Sequence, residues 1–82
     1  MSEAFRTEEF SVNGEQLLAK IKELLRQGNI RRVIIKDKSG KVLMEFPLTI
    51  GVIGVALAPT LAAVGAVAAL VSEATIVVEK TE

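Results

Sequence analysis

The chain is predicted to be a small α+β domain whose elements follow the order β-α-β-β-α-β, the order of a ferredoxin-like sandwich. Three observations predict this class. An amphipathic helix pattern lies near the N-terminus, a β-hairpin pattern occupies the middle, and an alternating apolar strand follows a long uncharged segment. The chain has 82 residues, of which 50% are hydrophobic. This length suits one small domain, and so many apolar side chains exceed what its core readily absorbs.

The N-terminal part is predicted to form one strand and one helix. A weak alternation over Thr7 to Val12 predicts the strand, and residues 1–6 are expected to be a flexible tail ahead of a single domain at 7–82. Asn13 is a favourable N-cap, with Gln16 three residues later, and Gly28 is a natural C-terminal stop. The helix is therefore predicted over 14–27, with an apolar stripe of Leu17, Leu18, Ile21, Leu24 and Leu25.

A β-hairpin is predicted from residues 31–36 and 41–48, because β-branched and apolar residues flank the turn sequence Asp37-Lys38-Ser39-Gly40. A final strand is predicted over 74–80. Alternation assigns one set of side chains to the core: Val33, Ile35, Val42, Met44, Phe46, Leu48, Ile76 and Val78. The opposite sheet face then carries Ile34, Leu43 and Val77 among charged residues.

The segment 48–72 is the most apolar part of the chain, since no charged residue occurs between Phe46 and Ser72. It is long enough to span a membrane as one helix. However, it is rich in Gly and Ala, and Pro59 at its middle favours the start of a second helix at 59–72. A single crossing would also separate the final strand from the hairpin. We therefore expect a soluble fold, or a re-entrant helical hairpin bent at Pro59, rather than a single span.

Small residues recur every four positions in this segment, a spacing that lets two helices approach closely. They could fill a tight core, form a seam between subunits, or pack within a bilayer. A helix that is apolar on all sides must be buried on all sides, and one sheet covers only one side. The predicted self-association residues are Ile34, Leu43, Gly54, Ala58, Ala62, Gly65, Ala66, Ala69 and Val77.

Basic residues precede the apolar segment, with Lys80 the exception. Those of the hairpin are Arg31, Arg32, Lys36, Lys38 and Lys41. These residues could lie in solvent and pair with nearby carboxylates. Alternatively, they could contact an anionic lipid surface. Nucleic acid is a weaker expectation, because ten basic residues balance ten acidic ones and no aromatic residues are interleaved for stacking.

Catalytic and metal-binding patterns are not found in the sequence. It contains no His and no Cys, its carboxylates are not clustered, and the Gly51-x-x-Gly54 spacing lacks the residues of a phosphate loop. We expect a protein that is not an enzyme, takes no cofactor and has no small-molecule substrate. The acidic, polar N-terminus is not a secretory signal pattern, so we expect a cytoplasmic location, with membrane association as the alternative.

Several short motifs together resemble an uncharacterised bacterial family of short domains of unknown function, over roughly residues 8–80. They lie at residues 31–36, 40–41, 45–48, 57–59 and 76–79. The family brings no activity, so the resemblance implies no functional residue. From the residues themselves, the predicted function is self-assembly into a structural homo-oligomer or polymer through the apolar helix and the outer sheet face. The alternative is a membrane-associated protein that inserts 48–72, with the basic hairpin at the cytoplasmic surface.

Overall fold

The computed structural model describes residues 5–48 and 58–81, which form a four-stranded antiparallel sheet and two helices that share one core. The predicted α+β class is confirmed. The elements in chain order are β1 (Phe5–Asn13), α1 (Gly14–Leu25), β2 (Ile30–Asp37), β3 (Val42–Pro47), α2 (Ala58–Ala68) and β4 (Glu73–Thr81).

The strands lie side by side in the order β1-β4-β2-β3, so β4 and β2 are central. A ferredoxin-like sandwich instead has its first and third strands at the centre, and that arrangement is not confirmed. Side-chain burial explains why β4 is central. Ile76 and Val78 are buried on one face and Val77 on the other, whereas β1 carries charged residues that suit an edge.

β1 begins earlier than predicted, because Phe5 and Arg6 already pair with Thr81 and Lys80 of β4. The last two residues of the predicted tail therefore belong to the strand, and residues 1–4 lie outside the described part. The weak alternation at Thr7 to Val12 understated this strand because β1 is stabilised by its pairing with β4 rather than by its own pattern.

The start of α1 follows from its sequence. The Asn13 side-chain oxygen accepts a hydrogen bond of 2.8 Å from the Gln16 backbone N–H, as an N-cap should. Leu17, Ile21 and Leu24 of the predicted stripe are fully buried. The helix ends at Leu25, two residues before the predicted end.

The hairpin turn is organised by one carboxylate. Oδ1 of Asp37 accepts hydrogen bonds from the Ser39 hydroxyl at 2.6 Å and from the backbone N–H groups of Ser39 and Lys41 at 2.9 Å. Gly40 has φ +94°, a left-handed conformation that glycine adopts without strain. The Ser39 hydroxyl, together with the two N–H groups, holds the pKa of Asp37 below its ordinary value.

The prediction that Val42 faces the core is wrong. The register between β2 and β3 shifts after the pair Ile35 and Met44, so that Val42 pairs with Lys36 and Leu43 is the extra residue of a β-bulge. Val42 is consequently 49% exposed. A strict two-residue alternation cannot anticipate an inserted residue.

The described part of the apolar segment consists of Leu48 and the residues from Ala58 onward. α2 begins at Ala58, which places Pro59 in the first turn, where its missing N–H costs little. The helix ends at Ala68, before the predicted Ser72. Val64 is its fully buried residue and joins the core formed by α1, β2 and β4.

Candidate self-association surface

Within the described part of the chain, α2 packs against α1 with one side. Val64 is fully buried in the common core, and a Cβ added at Gly65 would lie 3.8 Å from Cδ2 of Leu18 on α1. Leu61, Val67 and Ala68 pack against the same core from this side of the helix. Within the described residues, the packed positions of α2 therefore lie on the side that faces α1 and the core.

The other side of α2 is exposed and carries only apolar side chains. Positions three or four residues apart fall on one helix face, and the exposed positions follow that spacing. The α2 face, as we call it, comprises Pro59, Ala62, Ala63, Ala66 and, in the turn that follows the helix, Ala69 and Leu70. Leu70 is 86% exposed. The result is an uncharged stripe along the surface, made of small side chains and ending in one large one.

The predicted self-association residues are distributed over several places. Ala62, Ala66 and Ala69 lie together on the α2 face, whereas Gly65 faces α1. Ala58 opens α2 and Gly54 lies outside the described residues. The structure thus brings three of the predicted small residues into one exposed stripe and uses another within the protomer.

The outer sheet face contains a small apolar centre. Ile34 and Val77 are directly paired across β2 and β4, with Glu9 and Glu45 at the flanking positions of the same row. Val77 is only 7% exposed, although it lies on the side away from the helices. Arg32 forms ion pairs with Glu45 and, at 3.8 Å, with Glu79 beside this centre. Charged side chains therefore surround the pair, and the face offers little apolar area.

Leu43 lies apart from that pair, in the β3 bulge. It lines a cavity of about 350 Å³ together with Leu70, Val71 and residues of the hairpin turn. Leu43 is consequently grouped with the end of the α2 face rather than with Ile34 and Val77.

The predicted basic residues divide into two groups. Arg32 is engaged in the ion pairs of the outer sheet face, and Arg31 and Lys36 are half-buried. Lys38 and Lys41 are exposed at the hairpin turn, where Lys38 lines the same cavity as Leu70. Only the second group has the exposure that an anionic surface would need.

One ion pair lies on the helix-facing side of the sheet. The Lys80 side chain is 8% exposed, and its ammonium nitrogen lies 2.8 Å from Oε1 of Glu8. Its hydrogen bond holds the pKa of Glu8 below the ordinary value. This pair joins the edge strand β1 to the central strand β4.

Within residues 5–48 and 58–81 we find no cluster of three or more potential metal ligands. In the same described ranges, neither helix combines the length and apolar character that a membrane crossing requires.

Comparison with known families identifies the chain. The family model for the domain of unknown function DUF4342 matches residues 3–80, nearly the whole length. The chain belongs to the DUF4342 family. This confirms the resemblance to a family of short domains of unknown function. No curated protein and no solved structure matches this DUF4342 chain significantly.

Sequence reasoning missed part of the α2 face. Extending the four-residue spacing of Ala58, Ala62 and Ala66 by one step reaches Leu70, and the same spacing links Pro59 to Ala63. The four-residue spacing therefore indicated these positions as well. The spacing could not show which small residues face α1 and which face solvent, because that depends on how the two helices pack.

Proposed function

We propose that this DUF4342 chain is a non-enzymatic structural protein that assembles with copies of itself through the α2 face. The observation that carries the proposal is the stripe from Pro59 to Leu70, in which every exposed side chain is apolar. An apolar helix is stable in water when all its sides are covered. Within the described part of the protomer, α1 covers one side.

A second copy of the same helix suits this face. Alanine side chains at Ala62 and Ala66 let two helices approach to the shorter end of the usual range of about 8–10 Å between axes. Copies of the α2 face would meet without bringing like charges together, because α2 contains no charged residue. Leu70, beyond the alanines, would supply the largest apolar contact.

The test is the molar mass of the chain, measured by light scattering during size-exclusion chromatography. We expect the wild-type chain to elute as an oligomer or polymer and Ala66→Glu to shift it to smaller species, since Glu is a good helix former but would be desolvated in the seam. Lys22→Glu is the control, because Lys22 is exposed on α1 and does not line the cavity beside β1. A monomeric wild-type chain at high concentration, or an unchanged mass for Ala66→Glu, would contradict the proposal.

A second candidate function is membrane association of the 48–72 segment, with the basic hairpin at the lipid surface. Leu70 is the observation that favours it, since it is 86% exposed and lines a cavity with Lys38. An exposed leucine beside a basic residue suits an anionic lipid surface. Vesicle flotation tests this directly. Binding to anionic but not neutral vesicles, lost in Leu70→Ser, would support it, and no flotation with either vesicle would exclude it.

A further inference from the structure

The two edge strands of the sheet differ in how well they are protected against pairing with another strand. β3 is 6 residues long, contains the bulge at Leu43 and ends at Pro47. Bulges and prolines both obstruct further pairing. β1 is 9 residues long and keeps one continuous register with β4, from Phe5 opposite Thr81 to Asn13 opposite Glu73. Within the described residues, its other edge pairs with no strand.

Open space lies beside the β1 edge, whose obstacles to pairing are its charged side chains rather than a bulge or a proline. A cavity of about 570 Å³ lies between β1 and α1, lined on the strand side by residues 9–12 and on the helix side by Gln16, Ala19, Lys20 and Glu23. Phe10 and Val12 pair with the buried Ile76 and Ala74, yet they are themselves only half-buried. An additional strand beside β1 would cover these two side chains.

We propose that β1 pairs in antiparallel orientation with β1 of a second copy, with the twofold axis at Phe10. Such an axis runs perpendicular to the sheet and keeps the helices of both copies on the same side. In an antiparallel pair, two directly opposed side chains lie on the same face of the sheet. The axis therefore lies midway between the two copies of one residue.

The carboxylates of β1 determine which residue can lie at the axis. An axis at Glu8 or Glu9 would set that carboxylate against its own copy, which is destabilising. An axis at Phe10 sets Glu9 against the partner's Ser11 and Glu8 against the partner's Val12. The overlap then runs over residues 7–13, within the described strand. Axes at Thr7 or Ser11 avoid the carboxylate pairs too, but they leave shorter overlaps of the described residues.

Phe10 also suits the centre of this contact. The Lys20 ammonium lies 4.5 Å from the centroid of its ring, so one face of the ring is already covered by a cation. At the axis, the ring would meet the same ring of the second copy, an aromatic cross-strand pair that favours antiparallel pairing. The cavity between β1 and α1 of one copy would then join the same cavity of the second copy.

The β1 contact is additional to the proposed contact through the α2 face. One consequence, the size of the assembly, rests on both contacts. A protomer with two self-complementary contacts, the α2 face and the β1 edge, links to two different copies, so the assembly is larger than a dimer. The β1 contact itself does not require the α2 contact. The two are therefore separable by experiment.

Disulfide trapping tests the register, since the chain contains no cysteine. Glu9 and Ser11 are exposed, so Glu9→Cys and Ser11→Cys leave the core intact. With the axis at Phe10, a cysteine introduced at position 9 of one copy lies directly opposite a cysteine introduced at position 11 of the other, within disulfide range. Two copies of the same variant would instead hold their cysteines about 8 Å apart, beyond the about 7 Å that a disulfide tolerates.

We expect the yield of disulfide-linked dimer to be several-fold higher in a mixture of the two variants than in a solution of either variant by itself. A mixture of Glu9→Cys with Lys22→Cys, exposed on α1, reports random collisions. Yields equal to that control, or equal trapping of each variant with itself, would overturn the proposal. The same experiment in an Ala66→Glu background separates the two contacts. If the disulfide still forms and Ala66→Glu does not lower the molar mass, the α2 contact is rejected and the β1 contact is kept. If Ala66→Glu lowers the molar mass but no disulfide forms above the collision control, the β1 contact is rejected and the α2 contact is kept.

Discussion

The backbone N–H of Gly14 donates a hydrogen bond of 3.1 Å to the carbonyl oxygen of Ser72. Gly14 is the first residue of α1, and its N–H is one of the groups that a helix start leaves without an internal partner. The carbonyl groups that follow α2 thus meet the positive end of α1, an arrangement that the helix dipole favours. Gly14 is buried at this junction.

Gly14→Ala is expected to destabilise the fold by about 1–3 kcal/mol or more, because overpacking displaces the surrounding backbone. A Cβ at this position would clash with the carbonyl oxygen of Val71 and lie 2.7 Å from that of Ala68. Gly65→Ala is the matched control. Its Cβ would make an ordinary contact of 3.8 Å with Leu18, and replacing a helical glycine stabilises by roughly 0.5–1 kcal/mol. Urea unfolding at one protein concentration measures both, and equal effects would contradict the close junction.

Ala62→Leu distinguishes a close helix seam from loose apolar burial. In a close seam the larger side chain would hold the helices apart, so we expect a smaller assembly. Loose burial would instead be strengthened by the added apolar area. Molar mass across a dilution series measures the difference. Lys22→Leu, at an exposed position of α1 away from the β1 cavity, shows what a surface leucine does by itself.

The Lys80 and Glu8 pair predicts an asymmetry between two variants. Glu8→Ala leaves the nearly buried Lys80 ammonium without its carboxylate, which is strongly unfavourable. Lys80→Met removes the charge but keeps most of the side-chain volume, and Glu8 is exposed enough to be solvated. We therefore expect Glu8→Ala to lower the unfolding midpoint more than Lys80→Met. The reverse order would show that Lys80 reaches solvent.

Stability is expected to fall in acid because of Asp37 and Glu8. Both pKa values are lowered in the folded state, so these carboxylates stabilise the fold above their ordinary pKa values, and this contribution is lost as pH falls through the lowered ones. Asp37→Asn should remove part of the dependence. Thermal midpoints measured from neutral pH downward provide the test, with Glu15→Gln as the exposed control. Identical pH profiles for Asp37→Asn and wild type would contradict this role.

The β3 bulge predicts that Val42 tolerates a polar replacement. Val42→Thr should change the free energy of unfolding by no more than about 0.5 kcal/mol, as for other exposed positions. Ile35→Ala, at a fully buried position of β2, should cost about 2–5 kcal/mol. Chemical denaturation compares the two. A large loss for Val42→Thr would mean that Val42 packs in the core, as a bulge-free strand would place it.

Much of the fold could be predicted from local pattern. Asn13 and Gln16 indicated α1, Asp37 to Gly40 indicated the hairpin turn, and Pro59 indicated the start of α2. Each of these signals acts over a few residues, through a cap, a turn or a missing N–H. The α2 face was only partly predictable, because its small residues are equally compatible with a core and with a seam.

The pattern of residues predicted the described helices and strands and their chain order, and it shows the lack of charge between Phe46 and Ser72. The central place of β4, the exposure of Val42, the contact of Gly65 with α1 and the exposure of Ala62 and Ala66 are evident from the folded chain alone. The difference lies in the range of the interactions. Caps, turns and alternation involve neighbouring residues, whereas strand order, bulges and helix faces depend on contacts between residues that are distant in the chain.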